Sequence, residues 1–405
     1  MADEQISSAA EQHVDAITVY DLAAQVDARC KGFSGALFDG RYVYYIPLNN
    51  GQFHGCITRY DTLGPFADES SWVVFDIAAI QPGSKGFVHG AFDGRYLYLA
   101  PYCNGEHHGQ VARYDTCAEF ADAASWSIFD SVQVDANSKG FIGAVYAEDF
   151  VYFAPYQLSF GHHHGQVTRC DTRAEFTSTK SWQIFDIAAL DVECRGFHGG
   201  IFDGRYVYFC PYLMDPAPPV FASKVVRYDT RADFADIHSW QVYDVTEVDV
   251  ACKGFIGAVS DGQYLYFVPY NNGEGRYGQV LRYNTRADFA SAQSWERFDT
   301  CDVDDNSRGF FGALFDGRFV YFVPHCKAPN IYNGQMTRYD TRGHFSSTAS
   351  WAICDTAAIH PNNKGFIGGA FDGRYLYLPP FETEEGKPSG QTVRLCINTD
   401  EIWTQ

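Results

Sequence analysis

The sequence predicts an all-β protein, a seven-bladed β-propeller with four antiparallel strands in each blade. Three features carry this prediction: a motif that occurs seven times, an Asp-Gly turn signal in most copies, and a strand-like segment before the first copy. A repeat of this length cannot bury its apolar side chains alone, so neighbouring copies must pack together.

The recurring motif is a basic residue followed by Gly-Phe, at intervals of 54 to 58 residues. Its copies are Lys31-Gly32-Phe33, Lys85-Gly86-Phe87, Lys139-Gly140-Phe141, Arg195-Gly196-Phe197, Lys253-Gly254-Phe255, Arg308-Gly309-Phe310 and Lys364-Gly365-Phe366. Because the copies follow one another without interruption, we expect one propeller domain over residues 17–405, preceded by a tail of residues 1–16.

The second copy shows the four strands of one repeat. They are expected over residues 85–92, 95–102, 110–114 and 126–130. Asp93-Gly94 separates the first two, and this dipeptide indicates a tight hairpin whose two central residues both have positive φ. The same dipeptide begins at Asp39, Asp203, Asp261, Asp316 and Asp372.

The two ends of the chain indicate how the ring closes. Residues 17–21 resemble the fourth strand of every copy, yet they precede the first copy. The last copy has its third strand near Val393 and stops soon afterwards. The N-terminal strand is therefore expected to complete the last blade and to cover two sheet edges.

The innermost strand of each blade is expected to be rich in glycine, because the blades converge on the channel axis. Counted from the motif phenylalanine, the third residue is glycine in six copies, and the second copy has His89 there instead. A packed histidine and a functional one both explain this departure. The six glycines are Gly35, Gly143, Gly199, Gly257, Gly312 and Gly368.

Features shared by all copies are interpreted as structural. The Trp residues of the fourth strands are expected in the core or between blades, and Arg-Tyr-Asp-Thr is expected to cap a turn. Each Lys or Arg of the Gly-Phe motif is expected to pair with a nearby carboxylate, such as Asp191, Asp249 or Asp304. The alternative is a ring of cations at the channel rim that binds an anion.

Composition excludes several classes of function. A net charge of −20 disfavours binding to nucleic acid or to an anionic membrane surface. The acidic start Met1-Ala2-Asp3-Glu4 lacks the features of a secretory signal, so a cytoplasmic location with reduced cysteines is expected.

Histidines collect in the loops at one end of the predicted ring, and this end is called the mouth. His54, His108 and His164 each precede the glycine that opens a third strand. Neutral imidazole is a common ligand of transition metals, so these three residues are the predicted ligands of a Cu, Zn or Fe ion. The alternative is a structural loop ending that the other copies replace by Ser223, Tyr277, Asn333 and Ser389.

Three further features are candidates for function at the mouth. His89 and His198 lie on inner strands and are the predicted catalytic residues. Cys103 and Cys326 could serve as soft ligands or nucleophiles. The apolar, proline-rich loop of residues 213–224 is expected to form a lid, a wall for a hydrophobic substrate or a partner-binding loop.

The repeat consensus Gly-Phe-x-Gly-x-x-Phe-Asp-Gly-Arg-Tyr, followed by Arg-Tyr-Asp-Thr, resembles a bacterial seven-bladed propeller repeat found mostly in uncharacterised proteins. It is also similar, more distantly, to the propeller part of cyanobacterial alkylresorcinol-alkylating enzymes, which join an alkyl chloride to an aromatic ring. Those enzymes carry an additional N-terminal domain, and we expect this chain to lack it, so their catalytic residues do not transfer.

The leading hypothesis is a soluble, metal-dependent enzyme that acts on a small organic molecule at the histidine-rich mouth. The alternative is a non-catalytic propeller scaffold that binds a ligand or a protein partner.

Overall fold

The computed structural model describes residues 16–397 and 399–404, and it contains seven four-stranded antiparallel sheets. The sheets are the blades of a propeller, which confirms the predicted fold. We call the strands of a blade A to D from the channel outwards. They are Phe33–Phe38, Tyr42–Pro47, Cys56–Asp61 and Trp72–Asp76 in blade 1; Phe87–Phe92, Tyr96–Pro101, Gln110–Asp115 and Trp126–Asp130 in blade 2; Phe141–Ala147, Phe150–Pro155, Gln166–Asp171 and Trp182–Asp186 in blade 3; Phe197–Phe202, Tyr206–Pro211, Lys224–Asp229 and Trp240–Asp244 in blade 4; Phe255–Ser260, Tyr264–Pro269, Gln279–Asn284 and Trp295–Asp299 in blade 5; Phe310–Phe315, Phe319–Pro324, Gln335–Asp340 and Trp351–Asp355 in blade 6; and Ala370–Phe371, Tyr375–Leu378 and Gln391–Cys396, with Ile17–Asp21 as strand D, in blade 7.

The remaining elements are short. Four blades extend the loop between strands B and C into a two-stranded ribbon. The ribbons pair Gln157–Ser159 with His162–His163, Leu213–Pro216 with Pro219–Phe221, Cys326–Ala328 with Ile331–Tyr332, and Glu382–Glu384 with Lys387–Pro388. The helices are the α-helix Leu22–Gln25 and the single 3₁₀ turns Glu69–Ser71, Ile77–Ala79, Ala123–Ser125, Ser131–Gln133, Thr179–Ser181, Ile187–Ala189, Ile237–Ser239, Val245–Glu247, Ala292–Ser294, Thr300–Asp302, Thr348–Ser350, Thr356–Ala358 and Asp400–Ile402. Within the described ranges no helix has the length and apolar character needed to cross a membrane.

The glycine of the Gly-Phe motif joins each blade to the one before it. The Gly86 N–H donates to the His54 carbonyl of blade 1 at 3.0 Å, and the Gly86 carbonyl accepts the N–H groups of Tyr102 and Cys103 in its own blade. Gly86 has a φ of +73°, and a Cβ there would lie 1.7 Å from the Cys103 carbonyl oxygen. No other residue fits this position, which explains why the motif repeats in every blade.

The Asp-Gly hairpins differ from the predicted turn, because only the glycine has positive φ. In blade 1, Gly40 has a φ of +104°, whereas Asp39 is not in the left-handed region. The Asp39 carboxylate organises the turn: it accepts the N–H groups of Arg41 and Tyr42 at 2.8 and 2.7 Å and the Tyr44 hydroxyl at 2.7 Å. This carboxylate replaces the second positive φ as the feature that fixes the turn.

Aromatic side chains fill the spaces between blades, as predicted for the tryptophans. The Trp126 ring of blade 2 stacks on Phe75 of blade 1, with centroids 5.3 Å apart and planes at 13°. The Trp126 Nε1–H also donates to the Phe120 carbonyl at 3.1 Å. The Arg59 guanidinium of blade 1 lies 4.6 Å from the centroid of the same Phe120 ring, which adds a cation–π contact between blades.

The N-terminal strand closes the ring, as predicted. Ile17–Asp21 pairs antiparallel with Gln391–Cys396, with Val19 opposite Val393. The expected tail of residues 1–16 lies outside the described residues except for Ala16, whose carbonyl accepts the Cys396 N–H at 2.9 Å. Since hydrogen-bonded pairs alternate along an antiparallel ladder, the Thr18 N–H also points towards the third strand.

We predict that Thr18→Pro lowers the free energy of unfolding by roughly 3 kcal/mol, because it removes an inward N–H from the strand that closes the ring. The measurement is urea unfolding followed by tryptophan fluorescence. Thr18→Val keeps the N–H and the strand preference, so it is the matched control and should change the free energy by about 1 kcal/mol or less. Equal effects of the two substitutions would contradict the closure by this strand.

Candidate functional site

The residues that follow the last proline of strand B lie in a circle around the mouth. Six of the seven have aromatic or imidazole side chains. The seven equivalent positions are Leu48, Tyr102, Tyr156, Tyr212, Tyr270, His325 and Phe381. Consecutive rings from blade 2 to blade 7 have centroid separations of 6.1, 6.2, 6.1, 5.7 and 6.1 Å. The mouth is therefore lined by packed aromatic groups with hydroxyl and imidazole edges.

His89 lies inside the axial channel in a backbone conformation that the other blades reserve for glycine. Its φ is +56°. Its ring covers Gly35 of blade 1 and Gly368 of blade 7, where a Cβ would lie 2.4 and 2.6 Å from the imidazole atoms. The His89 N–H donates to the Ser34 hydroxyl at 3.2 Å. Blades 1 and 7 thus provide the small residues that make room for this histidine.

His198 approaches His89 from blade 4, and the two ring centroids are 6.4 Å apart at an interplanar angle of 76°. The His198 ring also packs edge-on against Phe311 of blade 6, at 5.0 Å between centroids. Burial lowers the pKa of His89 to about 4 and that of His198 well below the usual value. Both imidazoles are therefore neutral over the physiological pH range.

Beside this pair the channel holds a cavity of about 180 Å³. His89 and His198 supply its polar side chains, and Ile256 and Phe311 supply its large apolar ones. The rest of the lining is glycine and alanine from the inner strands of six blades. The structure thus brings together the two predicted catalytic residues at one cavity.

The three predicted metal ligands lie at equivalent positions, each packed within its own blade. Each imidazole contacts the phenylalanine of its blade's Gly-Phe motif: His54 with Phe33 at 6.0 Å, His108 with Phe87 at 6.0 Å, and His164 with Phe141 at 6.1 Å between centroids. All three are more than nine-tenths buried. Burial lowers the pKa to about 4 for His54 and His108 and to about 3 for His164.

The hydrogen bonds of His108 occupy both of its ring nitrogens. Nδ1 accepts the Gln110 N–H at 3.3 Å, so Nε2 carries the proton and lies 3.0 Å from the Lys85 carbonyl oxygen. A metal ion requires a free lone pair, and His108 has none in this arrangement. Across residues 16–397 and 399–404, no three His, Cys, Asp or Glu side chains are grouped as ligands of one ion. The shared metal site stays a prediction without geometric support.

The structure corrects the alignment of the fourth blade at this position. The Ala222 carbonyl accepts the Gly254 N–H, as the His54 carbonyl accepts that of Gly86. Ala222 is therefore the equivalent of the loop-ending histidines, and Ser223 occupies the place of the following glycine. Because the loop of blade 4 is longer, the sequence alone did not show this shift of one residue.

The basic residues of the Gly-Phe motif do not pair as expected. Among the described residues, none of the seven forms an ion pair with a carboxylate. Asp191 instead pairs with Lys224, and Asp249 pairs with Arg297 at 2.7 Å. The expectation was wrong because nearness in sequence does not fix which side of a loop a carboxylate faces.

The proline-rich loop of blade 4 forms a ribbon at the edge of the mouth. Its Phe221 ring contacts Tyr212, with centroids 5.7 Å apart, and lies against Gly254 of blade 5. Val220 in the second strand of the ribbon is 43% exposed. The ribbon therefore packs against the wall of the mouth through Phe221. Its role as a lid, a substrate wall or a partner-binding loop stays a prediction.

Sequence reasoning missed the polar cluster around Arg276 in blade 5. The signal was present, since five other blades have an aromatic or imidazole ring at this position: Phe53, His107, His163, Phe221 and Tyr332. An arginine in that series departs from the repeat as clearly as His89 does.

The buried imidazoles predict a loss of stability in mild acid. Each has a folded pKa below the unfolded value of about 6.5, so the unfolded chain binds protons more readily and stability falls as pH drops from about 6.5 towards 4. At pH 5 the loss relative to pH 7 is about 2 kcal/mol for each such imidazole. Urea unfolding at both pH values measures it.

The control for this prediction comes from the chain itself, because blade 6 has Asn333 where blade 3 has His164. His164→Asn should reduce the stability difference between pH 7 and pH 5 by about 2 kcal/mol. An unchanged difference would show that the folded protein protonates His164 as readily as the unfolded chain does.

Comparisons with known proteins do not assign this chain to a family. No family model matches the chain, and no curated protein matches it. Many solved structures do match. One is PorZ, described as an essential bacterial surface component of the type-IX secretion system of Porphyromonas gingivalis, with 10% sequence identity and a TM-score of 0.49. The match covers 86% of this chain and 35% of PorZ, so the chain spans about a third of that protein.

Proposed function

We propose that this protein binds a small polar molecule in its axial channel, with His89 and His198 as the hydrogen-bonding groups. One observation carries the proposal: His89 adopts a left-handed backbone conformation, with φ of +56°, at a position where the six other blades have glycine. This conformation places the His89 imidazole in the axial channel, beside the His198 imidazole.

The left-handed backbone conformation of His89 has an energetic cost. A residue with a Cβ in the left-handed region costs roughly 1–2 kcal/mol relative to glycine. The surroundings accommodate it, since Gly35 and Gly368 leave space for the ring and Ser34 accepts the backbone N–H. Non-glycine residues held in this region cluster at binding and active sites.

The pKa values favour binding over proton abstraction. A neutral imidazole offers one N–H donor and one acceptor nitrogen, so the pair can orient a ligand that has both kinds of group. A general base works best when its pKa lies near the operating pH. His89, with a pKa of about 4, is a weak base at neutral pH.

The size of the cavity limits the ligand. Pockets for drug-sized molecules measure about 300–1,000 Å³. The channel cavity is about 180 Å³, so it suits a molecule of few heavy atoms, such as a small hydroxy acid or amide. Glycine and alanine make up much of the wall, so specificity would come from the two imidazoles and Phe311.

The enzymatic and metal-dependent functions expected from the sequence are proposals with less support than ligand binding. A metal-dependent reaction would require His54, His164 and a replacement for His108, whose ring nitrogens are both occupied by backbone groups. The similarity to the propeller part of alkylresorcinol-alkylating enzymes is compatible with a small organic ligand. The cytoplasmic location also stays a prediction.

We predict that His89→Gly and His198→Phe each abolish ligand binding while changing the free energy of unfolding by about 1 kcal/mol or less. Stability is retained because each substitution installs the residue of an equivalent blade, glycine as at Gly143 and phenylalanine as at Phe311. The measurement is a thermal-shift screen of small polar organic molecules, with calorimetric titration of the compounds that bind.

The matched control is His238→Gln, which changes an exposed histidine outside the channel. Compounds that bind the parent protein and the control, but neither channel variant, support the proposal. Compounds that bind both channel variants with unchanged affinity would place the binding site elsewhere.

A further inference from the structure

We infer a second binding site at the mouth, centred on Arg276, for the carboxylate of a small aromatic acid. It adjoins the His89–His198 pair through Phe311 and does not depend on the channel site. The Phe311 centroid is 5.0 Å from those of His198 and Tyr270 and 4.9 Å from that of His325.

Arg276 is held against the aromatic wall of the mouth by its neighbours. Arg276 occupies the place at which other blades stack a ring over the glycine of the next Gly-Phe motif, and its Cβ lies against Gly309. The guanidinium lies 4.0 Å from the centroid of the Tyr270 ring. Its Nε–H donates to the Cys326 sulfur at 3.1 Å. These contacts hold the planar group against the aromatic wall of the mouth.

Arg276 lacks a carboxylate partner among the described residues. No carboxylate among the described residues forms an ion pair with Arg276, and no hydrogen bond joins its Nη1 or Nη2 to them. Arg297 in the same blade pairs with Asp249, and the well-buried Arg282 pairs with Glu296. A partly buried guanidinium without an anionic partner is costly unless a ligand supplies one.

His325 provides a second polar group beside Arg276. His325 is 93% buried, since its exposed fraction is 7%, and its Nε2 has no hydrogen-bond partner. Its Nδ1 lies 3.2 Å from the Tyr270 hydroxyl, which can donate to it. Burial and the Arg276 charge lower the pKa of His325 to about 3, so the ring is neutral and its proton then lies on Nε2. Nε2 has less than 1 Å² of accessible surface, so an acceptor on a ligand reaches it when the neighbouring rings move aside.

The surroundings define the rest of the ligand. Tyr212, Tyr270, Phe311 and Tyr332 present ring faces and edges around the two donors. The Glu382 carboxylate contacts this wall, where it accepts the Tyr332 hydroxyl. A guanidinium binds a planar carboxylate through two parallel N–H groups, and aromatic walls favour an aromatic body. The chemistry therefore fits an aromatic carboxylate better than an inorganic anion.

The test is calorimetric titration of the full chain with benzoate, with neutral benzamide and with inorganic phosphate. We expect benzoate to bind, and benzamide and phosphate to bind at least about tenfold more weakly. Benzamide lacks the charge, and a charge-assisted pair contributes about 1.5–3 kcal/mol. Phosphate has the charge but lacks the ring that packs on the aromatic wall. Arg276→Gln should weaken benzoate binding about 10- to 100-fold by the same argument. Arg276→Lys keeps the charge without the planar fork, so it should have an intermediate affinity.

The controls separate this site from the channel. Arg297→Gln alters an exposed arginine of the same blade, and His89→Gly alters the channel; both should bind benzoate with unchanged affinity. Circular dichroism checks that each variant is folded. The inference is overturned if benzoate does not bind, if benzamide or phosphate binds as tightly, or if the folded Arg276 variants bind benzoate unchanged. Loss of benzoate binding in His89→Gly alone would assign it to the channel site.

Discussion

The structure depends on the backbone contacts of seven glycines in left-handed conformation. In each blade the glycine of the Gly-Phe motif donates its N–H to the loop of the preceding blade and accepts one or two N–H groups from its own blade. The space beside its Cα is filled by a carbonyl oxygen, which lies only 1.6 Å from where a Cβ of Gly32 would be. A side chain at Gly32 or Gly86 would overlap the carbonyl group of Asn49 or Cys103 and displace the loop after strand B of its own blade.

This constraint makes the mouth a frame with equivalent positions, and the chemistry lies where one position departs from the others. His89 replaces a glycine on the channel axis, and Arg276 replaces a ring at the rim. Phe311 connects the two places, because its ring contacts His198 on one side and Tyr270 on the other. Each departure is balanced by its neighbours: two glycines accommodate His89, and the Tyr270 ring supports Arg276.

Repeated features could be predicted in detail, whereas contacts between blades could not. The strand order and the closing strand Ile17–Asp21 follow from spacing and from period-two patterns. The ion pairs were not predictable, because Asp191 pairs with Lys224, 33 residues later in the chain, and the alternative partner was nearer in sequence. The Asp-Gly turns have a different φ pattern from the expected one because the Asp39 carboxylate accepts two N–H groups in the turn.

The sequence by itself determined the number of blades, their strands and the closure of the ring, because these depend on periodicity and on residues such as glycine and proline that restrict the local backbone. It also identified His89 as a departure from the repeat. Only the tertiary structure decided which side chains meet. It placed His198 beside His89, left the Arg276 guanidinium without a carboxylate, and enclosed His108 between backbone groups. The physical reason is that such contacts join residues of different blades or of separate loops, and their distances depend on how the blades pack around the axis.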